Sequence, residues 1–148
     1  MMSRARRLLS RARPWLAAGL VAFVAIQFVP FGRDKANPPV VLAAPWPDAR
    51  AEAIFEQSCA ACHTNETDWP WYSHVAPASW LVYRDVVEGR DEMNFSRWDD
   101  DDGEADDAIE AVEEGSMPPL RYLPMHPSAR LTDEEIQVLI DALRQMDD

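Results

Sequence analysis

The sequence is poor in cysteine, and its 148 residues contain only Cys59 and Cys62. A structural zinc site would need further cysteines or well-spaced histidines. A redox dithiol would favour a βαβ context, whereas the chain has no alternating apolar and polar run of useful length that would indicate strands. It also has no internal repeats. These absences disfavour a zinc site and a redox dithiol, so the role of the cysteine pair has to be inferred from the residues next to it.

Positive charge is also scarce in this chain. The 26 acidic residues outnumber the 14 basic ones and give a formal net charge of −12. Several of the arginines are concentrated before residue 14, so the rest of the chain is more acidic still. A nucleic-acid partner is therefore disfavoured, because binding to a phosphate backbone depends on clustered positive charge.

The two cysteines stand in the segment Cys59-Ala-Ala-Cys62-His63. Two thiols three residues apart on one helical turn can each add to a vinyl group of a haem, and the following imidazole can then bind the iron. The segment predicts one covalently attached haem c, with Cys59 and Cys62 as attachment residues and His63 as the proximal metal ligand.

An uncharged apolar run over residues 15–31 follows the arginines. About 17 helical residues span roughly 25 Å, which is adequate for a bilayer with flanking anchors or local thinning. The charge pattern predicts a cytoplasmic basic tip over residues 1–14, a transmembrane signal-anchor over 15–31 and an exported remainder. A cleaved signal peptide is the alternative, although the nearest small-residue site lies well downstream, at residues 41–43.

Residues 32–47 carry four prolines among small residues, which predicts an extended, semi-rigid linker. Residues 48–148 are expected to form an all-α haem-binding domain. Helices are predicted from Asp48 into Cys59, from Pro77 to Gly89 and from the acidic stretch to Gly115.

The last helix has the clearest signals. Thr132 and Glu135 are spaced as a capping box, and apolar residues recur behind them at helical spacing. As in small c-type cytochromes, this helix is expected to pack on the helix that carries Ile54 and Phe55 before the cysteines. Most large aromatic side chains of the domain are expected to lie in the core or against the haem: Trp69, Trp71, Tyr72, Trp80, Phe95 and Trp98.

The second axial ligand decides the chemistry, because an occupied site favours electron transfer and an open one permits ligand binding or oxygen chemistry. The candidates are Met117, His126, His74 and Met125. Met117 is favoured because it follows a helix stop and precedes two prolines, which hold its thioether on a stiff, irregular loop. Methionine is often a core filler, so the other three residues and an open site remain alternatives.

Acidic residues are concentrated between positions 99 and 107. The simplest interpretation is a solvated helix start, where acidic side chains suit the helix dipole. A docking face for a basic redox partner is a second interpretation, since complementary charge raises association rates. A calcium loop is a third, although the spacing lacks the twelve-residue pattern and its terminal glutamate.

In the order of its motifs, the chain resembles the small haem-binding-domain proteins of bacterial envelopes. The similar segments are Ile26-Gln27-Phe28, Cys59 to Thr67, Trp69 to Ser73, Ala76 to Trp80, Gly89-Arg90, Asn94 to Ser96, Met117-Pro118, Tyr122, His126-Pro127 and Leu131-Thr132. The resemblance implies a membrane-anchored monohaem c-type domain. Members often have a histidine where this chain has Asp85, so that position cannot supply an imidazole ligand here.

Together these patterns predict a periplasmic electron carrier, single-pass in the bacterial inner membrane, rather than an enzyme. His63 and Met117 would be its iron ligands, and its partners would be redox proteins, for which a basic docking face is one interpretation of the acidic charge. A haem-based sensor or a peroxidase-like enzyme with an open or displaceable distal site is the alternative. A third hypothesis is a structural haem module within a larger respiratory complex.

Overall fold

The computed structural model describes residues 4–98 and 105–147, with side chains for 12–98 and 105–146. Its α-helices are α1 (Arg4–Ile26), α2 (Ala49–Ser58), α3 (Ala60–His63), α4 (Ala78–Glu92), α5 (Ala105–Glu113) and α6 (Asp133–Asp147). Two 3₁₀ turns, Trp71–His74 and Pro127–Ala129, complete the regular structure. No strand forms within the described ranges, where a single isolated bridge pairs Leu42 with Arg97. The prediction of an all-α protein is confirmed.

The chain divides into two compact units that alternate along the sequence. The first unit consists of residues 1–35 and 69–83, and the second of residues 36–68 and 84–148. Helix α4 contributes residues to both units, because the division falls between residues 83 and 84.

In the first unit, the end of α1 is tied to the segment that precedes α4. The Gln27 side chain donates to the carbonyl of Ala76 (3.0 Å) and accepts from the amide of the same residue (2.9 Å). The Phe31 ring meets the edge of Tyr83 at 5.5 Å. Gly32 adopts a φ of +73°, and a Cβ there would lie 2.8 Å from the carbonyl oxygen of Ser79. Glycine is therefore required at this close approach of the two segments.

The predicted helical span over residues 15–31 is corrected at its C-terminal end, because α1 stops at Ile26. Gln27 uses its side chain to bond the Ala76 backbone, and Pro30 cannot donate to a helical ladder. Within the part of the chain that the structure describes, no helix combines the length and apolar character that crossing a membrane requires.

In the second unit, the ends of the predicted helices follow their sequence signals. Asp48 caps α2, since its carboxylate accepts from the amides of Arg50 (2.8 Å) and Ala51 (3.0 Å). The Thr132 amide and hydroxyl donate to the carboxylate of Glu135 at 2.8 Å, and the Glu135 amide donates back to the Thr132 hydroxyl at 3.3 Å. The capping box is confirmed. Helix α4 runs three residues past the Gly89 stop that was predicted.

The core of the second unit lies between α2, α5 and α6. Helix α6 contacts both α5 and α2. The buried apolar residues of this core are Ile54, Phe55, Met93, Phe95, Ile109, Val112, Leu139, Ile140 and Leu143. The predicted packing of the helix before the cysteines on the last helix is confirmed by this shared core.

The segment predicted as a linker is extended, but much of it is bound along the second unit. The amides of Val41 and Ala44 donate to the carbonyls of Ser96 (3.0 Å) and Phe95 (2.9 Å). The Trp46 ring stacks on Phe95 with centroids 5.5 Å apart. Prolines keep this stretch extended, and its backbone partners and Trp46 hold it in place instead of leaving it as a free tether.

Candidate functional site

The second unit contains a cavity of about 380 Å³, within the roughly 300–1,000 Å³ typical of small-molecule sites. Its walls come from α2 and α3, from the second half of α4, from α5, from residues 117–122 and from α6. Both cysteines, His63 and Met117 lie on these walls. The four residues singled out from the sequence as cofactor-binding are therefore brought to one cavity.

The Cys59–His63 motif forms a tight helical corner at this cavity. Helix α2 ends at Ser58, and the Cys59 amide donates to the carbonyl of Phe55 at 2.8 Å. The amides of Cys62 and His63 then both donate to the carbonyl of Cys59 at 3.1 Å. This corner places the side chains of the motif on the wall of one cavity, which is the arrangement that two thioethers and a ligand to the same haem need.

The orientation of the His63 ring is set by a backbone carbonyl. Its Nδ1 donates to the carbonyl of Met93 at 3.1 Å. Because a carbonyl can only accept, this contact places the proton on Nδ1 and leaves Nε2 with the lone pair that binds a metal. Burial lowers the pKa of His63, against smaller raising effects of the carbonyls of Met93 and Gly89. The neutral imidazole that coordination requires is therefore favoured.

The two thiols have the properties of unreactive cysteines. Burial, with a smaller contribution from Cys62, raises the pKa of Cys59 to about 12. Burial and the nearby carboxylate of Asp85 raise the pKa of Cys62 to about 11. A redox dithiol requires a thiolate stabilised near neutral pH. The cavity provides the opposite environment, because burial raises the pKa of both thiols, and the dithiol interpretation is disfavoured on this ground as well as by sequence.

Gly89 lets α4 approach the motif closely. A Cβ at this position would lie 2.8 Å from the carbonyl oxygen of Cys62 and 3.1 Å from its Cβ. Glycine inside a helix costs about 1 kcal/mol relative to alanine, so its presence needs a packing reason. The contact with Cys62 provides that reason.

A network of buried polar side chains follows the motif. It consists of five residues that we call the motif network: Thr64, Asn65, Thr67, Asn94 and Ser96. All five residues are buried. The Asn65 side chain donates to the carbonyl of Pro39 and accepts from the amide group of Asn94, both at 2.9 Å. The Ser96 hydroxyl accepts from the Asn65 amide at 2.9 Å. These bonds fix the loop after His63 against the loop after α4.

Arg90 extends the motif network to the segment before α2. Its Nε donates to the carbonyl of Thr64 at 2.8 Å. One terminal nitrogen donates to Asn37 Oδ1 at 2.8 Å and to Thr67 Oγ1 at 2.9 Å. A single guanidinium thereby connects three separate parts of the unit, which its planar set of donors suits.

The structure separates the four candidates for the distal ligand. Met117 lines the cavity, whereas His126, Met125 and His74 are not among its lining residues. The ring of His126 lies parallel to that of Tyr122, with centroids 4.0 Å apart, and Tyr122 is on the cavity wall. His74 belongs to the first unit, and Met125 is exposed. The placement supports Met117, and the ligand itself stays a prediction.

Asp85 is also on the cavity wall. Its carboxylate accepts from Arg121 through both oxygens, at 2.9 and 3.2 Å. The pair lies near enough to the thiol to affect the pKa of Cys62, which Asp85 raises and Arg121 lowers. The position therefore has an electrostatic influence on the site although it cannot supply an imidazole.

The expectation for the aromatic residues is confirmed only in part. Phe95 is buried at the cavity and Trp98 packs against the core. Trp69, Trp71, Tyr72 and Trp80 lie in the first unit and do not line the cavity, and Trp71 is 74% exposed. Sequence reasoning missed Trp46 because it stands among the prolines of the expected linker. Its ring lines the cavity and packs on Phe55 at 4.7 Å.

Residues 99–104 of the acidic run lie outside the described residues. Asp106 and Asp107 occupy the first turn of α5, where acidic side chains complement the helix dipole, and Asp107 reaches the cavity wall. Within the described ranges, no group of three or more His, Cys, Asp or Glu side chains could hold a metal ion. Zinc and calcium centres therefore receive no support from this part of the chain.

The sequence model of a family described as a haem-binding domain matches residues 21–145. This chain belongs to the haem-binding domain family. The match begins within α1 and extends almost to the end of α6, so it includes both units. No curated protein and no solved structure matches the chain significantly.

The cavity of this haem-binding domain fits a haem in its chemistry. Its walls combine apolar residues with two thiols, an imidazole and a thioether. Ser58, on the same wall, has a buried hydroxyl without a hydrogen-bond partner among the described residues. A buried hydroxyl normally finds a partner, and a bound group with polar atoms would supply one.

Proposed function

We propose that the protein is a monohaem c-type electron carrier, with its haem attached through Cys59 and Cys62 and His63 as the proximal ligand. The observation that carries this proposal is the shared cavity, which is lined by both thiols, His63 and Met117. The hydrogen bond from His63 Nδ1 to Met93 supports it, because Nε2 is left for a metal. When bound, a haem supplies one-electron chemistry, and the chain supplies its attachment, ligands and surroundings.

Covalent attachment is tested on correctly matured, exported protein. The haem is expected to stay with the polypeptide through denaturation and acid–acetone extraction, and Cys59→Ala or Cys62→Ala should leave at most one thioether. His63→Ala should remove the proximal ligand and compromise folding of the domain. Ser128→Ala, in an exposed turn, is the matched control and should keep both thioethers. Haem that can be extracted from the unsubstituted protein would exclude the c-type assignment.

If Met117 is the distal ligand, it occupies the second axial site of the iron. An occupied site favours an electron carrier over a sensor or an enzyme. The oxidised protein should show a weak near-infrared methionine–iron(III) charge-transfer band that Met117→Leu abolishes. Met125→Leu, an exposed methionine eight residues away, should leave the band unchanged. Rapid, stoichiometric binding of carbon monoxide to the reduced protein at neutral pH would instead favour the haem sensor or peroxidase-like alternative.

Two features of the site would act in opposite directions on the reduction potential of a bound haem. A thioether ligand raises the potential. The carboxylates of Asp85, Glu88, Glu92 and Asp107 on the cavity wall would stabilise the oxidised iron and lower the potential, and Arg121 would oppose them. Asp85→Asn is therefore expected to raise the midpoint potential and Arg121→Gln to lower it. A shift in the same direction for both variants would contradict this electrostatic account.

Attachment to the outer face of a bacterial inner membrane is a separate part of the proposal. The first ten residues of α1 include five arginines, and the large apolar side chains that follow are exposed, with Trp15, Leu16 and Leu20 each more than 60% accessible. Such a surface favours burial in lipid or against a partner. The full-length protein should resist extraction from membranes by alkaline carbonate, and its mass should include residues 1–31. Loss of that segment from the mature protein would favour a cleaved signal peptide.

The electron-exchange partner is proposed to be a protein with a basic face. The net charge of −12 and the acidic residues around the cavity support this, because complementary charge accelerates encounter. The rate of reduction by a basic donor protein should fall steeply with ionic strength. A rate that is independent of salt would remove this part of the proposal, while stable co-purification after mild detergent extraction would favour a module of a larger complex.

A further inference from the structure

Tyr122 separates a second potential iron ligand from the cavity. The Tyr122 side chain lines the cavity, and His126 does not. The two rings are almost parallel, at 5°, with centroids 4.0 Å apart. The phenol ring therefore packs face to face with the imidazole and forms the part of this ring pair that reaches the cavity wall.

Backbone hydrogen bonds hold the two residues of this ring pair in place. The His126 amide donates to the carbonyls of Tyr122 and Leu123, both at 3.2 Å, which closes a turn between the two rings. The Tyr122 amide donates to the carbonyl of Pro119 at 2.8 Å, and the Ala129 amide donates to the carbonyl of His126 at 3.0 Å. Position 126 is thereby held one turn beyond a residue of the cavity wall.

The chemistry of the two candidates does not by itself favour the methionine. Imidazole is a good ligand for iron, and ligand availability and geometry decide selectivity at such sites. His126 is then kept from the cavity by its position, and the side chain that stacks on it and lines the wall is Tyr122. Burial lowers the pKa of His126, which keeps the imidazole neutral and so competent to bind.

We propose that Tyr122 is a positioning residue that determines the distal ligand: its ring holds His126 outside the cavity and leaves the axial site to Met117. The inference rests on the proposed function, since it concerns the choice between two ligands to a haem held by His63. It assigns to Tyr122 a role in ligand choice and not in the electron-transfer step.

The test compares ultraviolet–visible and near-infrared spectra of the full-length, haem-loaded protein with those of a set of variants. The unsubstituted protein, Tyr122→Phe and His126→Gln should all show the methionine–iron(III) band, because each keeps an aromatic ring at position 122. Tyr122→Ala should lose that band and give a spectrum typical of bis-imidazole haem. The double variant with Tyr122→Ala and His126→Gln should not give the bis-imidazole spectrum, which would identify His126 as the incoming ligand.

Helicity is recorded with each spectrum to separate ligand choice from unfolding. Tyr122→Leu keeps an apolar side chain on the wall but removes the flat ring, so it should give a mixture of both spectra even if Tyr122→Ala folds poorly. A methionine band of undiminished intensity in folded Tyr122→Ala and Tyr122→Leu would overturn the inference and leave the proposed function intact. A bis-imidazole spectrum in the unsubstituted protein would overturn both the role of Tyr122 and the assignment of Met117.

Discussion

The two sides of the cavity are held in different ways. On the His63 side, the five buried residues of the motif network and the guanidinium of Arg90 join segments that are 23 to 53 residues apart. On the other side is the methionine segment, residues 115–122, whose backbone bonds are local. The amides of Ser116 and Met117 donate to the carbonyl of Ala111, and the amide of Tyr122 donates to the carbonyl of Pro119. Its long-range contact is the ion pair between Arg121, whose side chain is 54% exposed, and Asp85, whose side chain is 20% exposed.

We therefore expect the His63 side of the cavity to be rigid and the methionine segment to open more easily. Local opening occurs most easily where buried contacts are few and bonds are local. The proposed proximal ligand, His63, is therefore held by long-range bonds around it, whereas the proposed distal ligand, Met117, lies on a segment that we expect to open without unfolding of the helices. Substitutions near the motif should lower the stability of the whole unit, and substitutions in the methionine segment should change ligation first.

The largest effect is expected from Leu139→Ala. Leu139 is 2% exposed, lines the cavity and belongs to the core that α6 shares with α2. Removing a fully buried leucine side chain should lower the free energy of unfolding by about 2–5 kcal/mol. Urea denaturation followed by circular dichroism measures this. Leu120→Ala, at a leucine that is 79% exposed in the methionine segment, should change it by less than about 0.5 kcal/mol.

Asn65→Ala tests whether the motif network gives the proximal side its rigidity. The substitution leaves the Asn94 amide group and the Pro39 carbonyl without their Asn65 partners. A buried polar group without a hydrogen-bond partner lowers the free energy of unfolding by about 1–3 kcal/mol. Gln145→Ala removes a comparable side-chain bond, to Asp141, on an exposed part of α6 and serves as the control. Equal losses for the two variants would contradict the contrast drawn between the two sides.

The thiols predict a pH dependence for the haem-free protein. With the pKa of Cys59 at about 12 and that of Cys62 at about 11, the folded chain keeps protons that the unfolded chain releases near pH 9. This stabilisation is complete below pH 9 and is lost as the pH rises towards the pKa values that the two thiols have in the folded chain. The loss is at most about 1.4 kcal/mol per pH unit for each thiol. Urea titrations from pH 8 to 11 should show it, and a variant with both cysteines replaced by alanine should show a flatter profile.

A smaller effect is expected from Gly89→Ala. The new methyl group meets Cys62, which costs stability, while alanine recovers about 1 kcal/mol of helix propensity. The net loss should be about 1 kcal/mol, together with reduced haem attachment. Gly19→Ala is the matched control, because nothing lies within 4 Å of a Cβ added in that helix. A gain in stability for both variants would show that α4 can move away from the motif.

The smallest free-energy change should be the one that releases Met117 from iron. In the haem-loaded protein, the charge-transfer band should disappear at a lower urea concentration than helicity does, because the methionine segment opens before the helices melt. Near-infrared absorbance and circular dichroism recorded on the same samples give the two midpoints. Coincident midpoints would show that both sides of the cavity are equally fixed.

Local signals in the sequence correctly predicted most of the second unit. Capping residues such as Asp48 and Thr132 act within one turn, so the starts of α2 and α6 could be recognised without knowledge of their neighbours. The same reasoning placed the end of the first helix too late, because Gln27 bonds to Ala76, 49 residues away. It also treated Trp46 as part of a linker, since the prolines on both sides of that residue indicated an extended chain, whereas its ring packs on Phe55 and Phe95 only in the folded unit.

The sequence by itself determined the Cys59–His63 motif on which the proposed haem attachment rests, because two thiols and an imidazole at fixed spacing on one turn are a local property of the chain. It also determined the all-α class, through helical periodicity and caps. Only the tertiary structure decided which methionine or histidine shares the cavity with His63, because Met117 and His126 are nine residues apart on an irregular segment. Their difference arises from packing, in which the Tyr122 ring occupies the wall and His126 lies behind it.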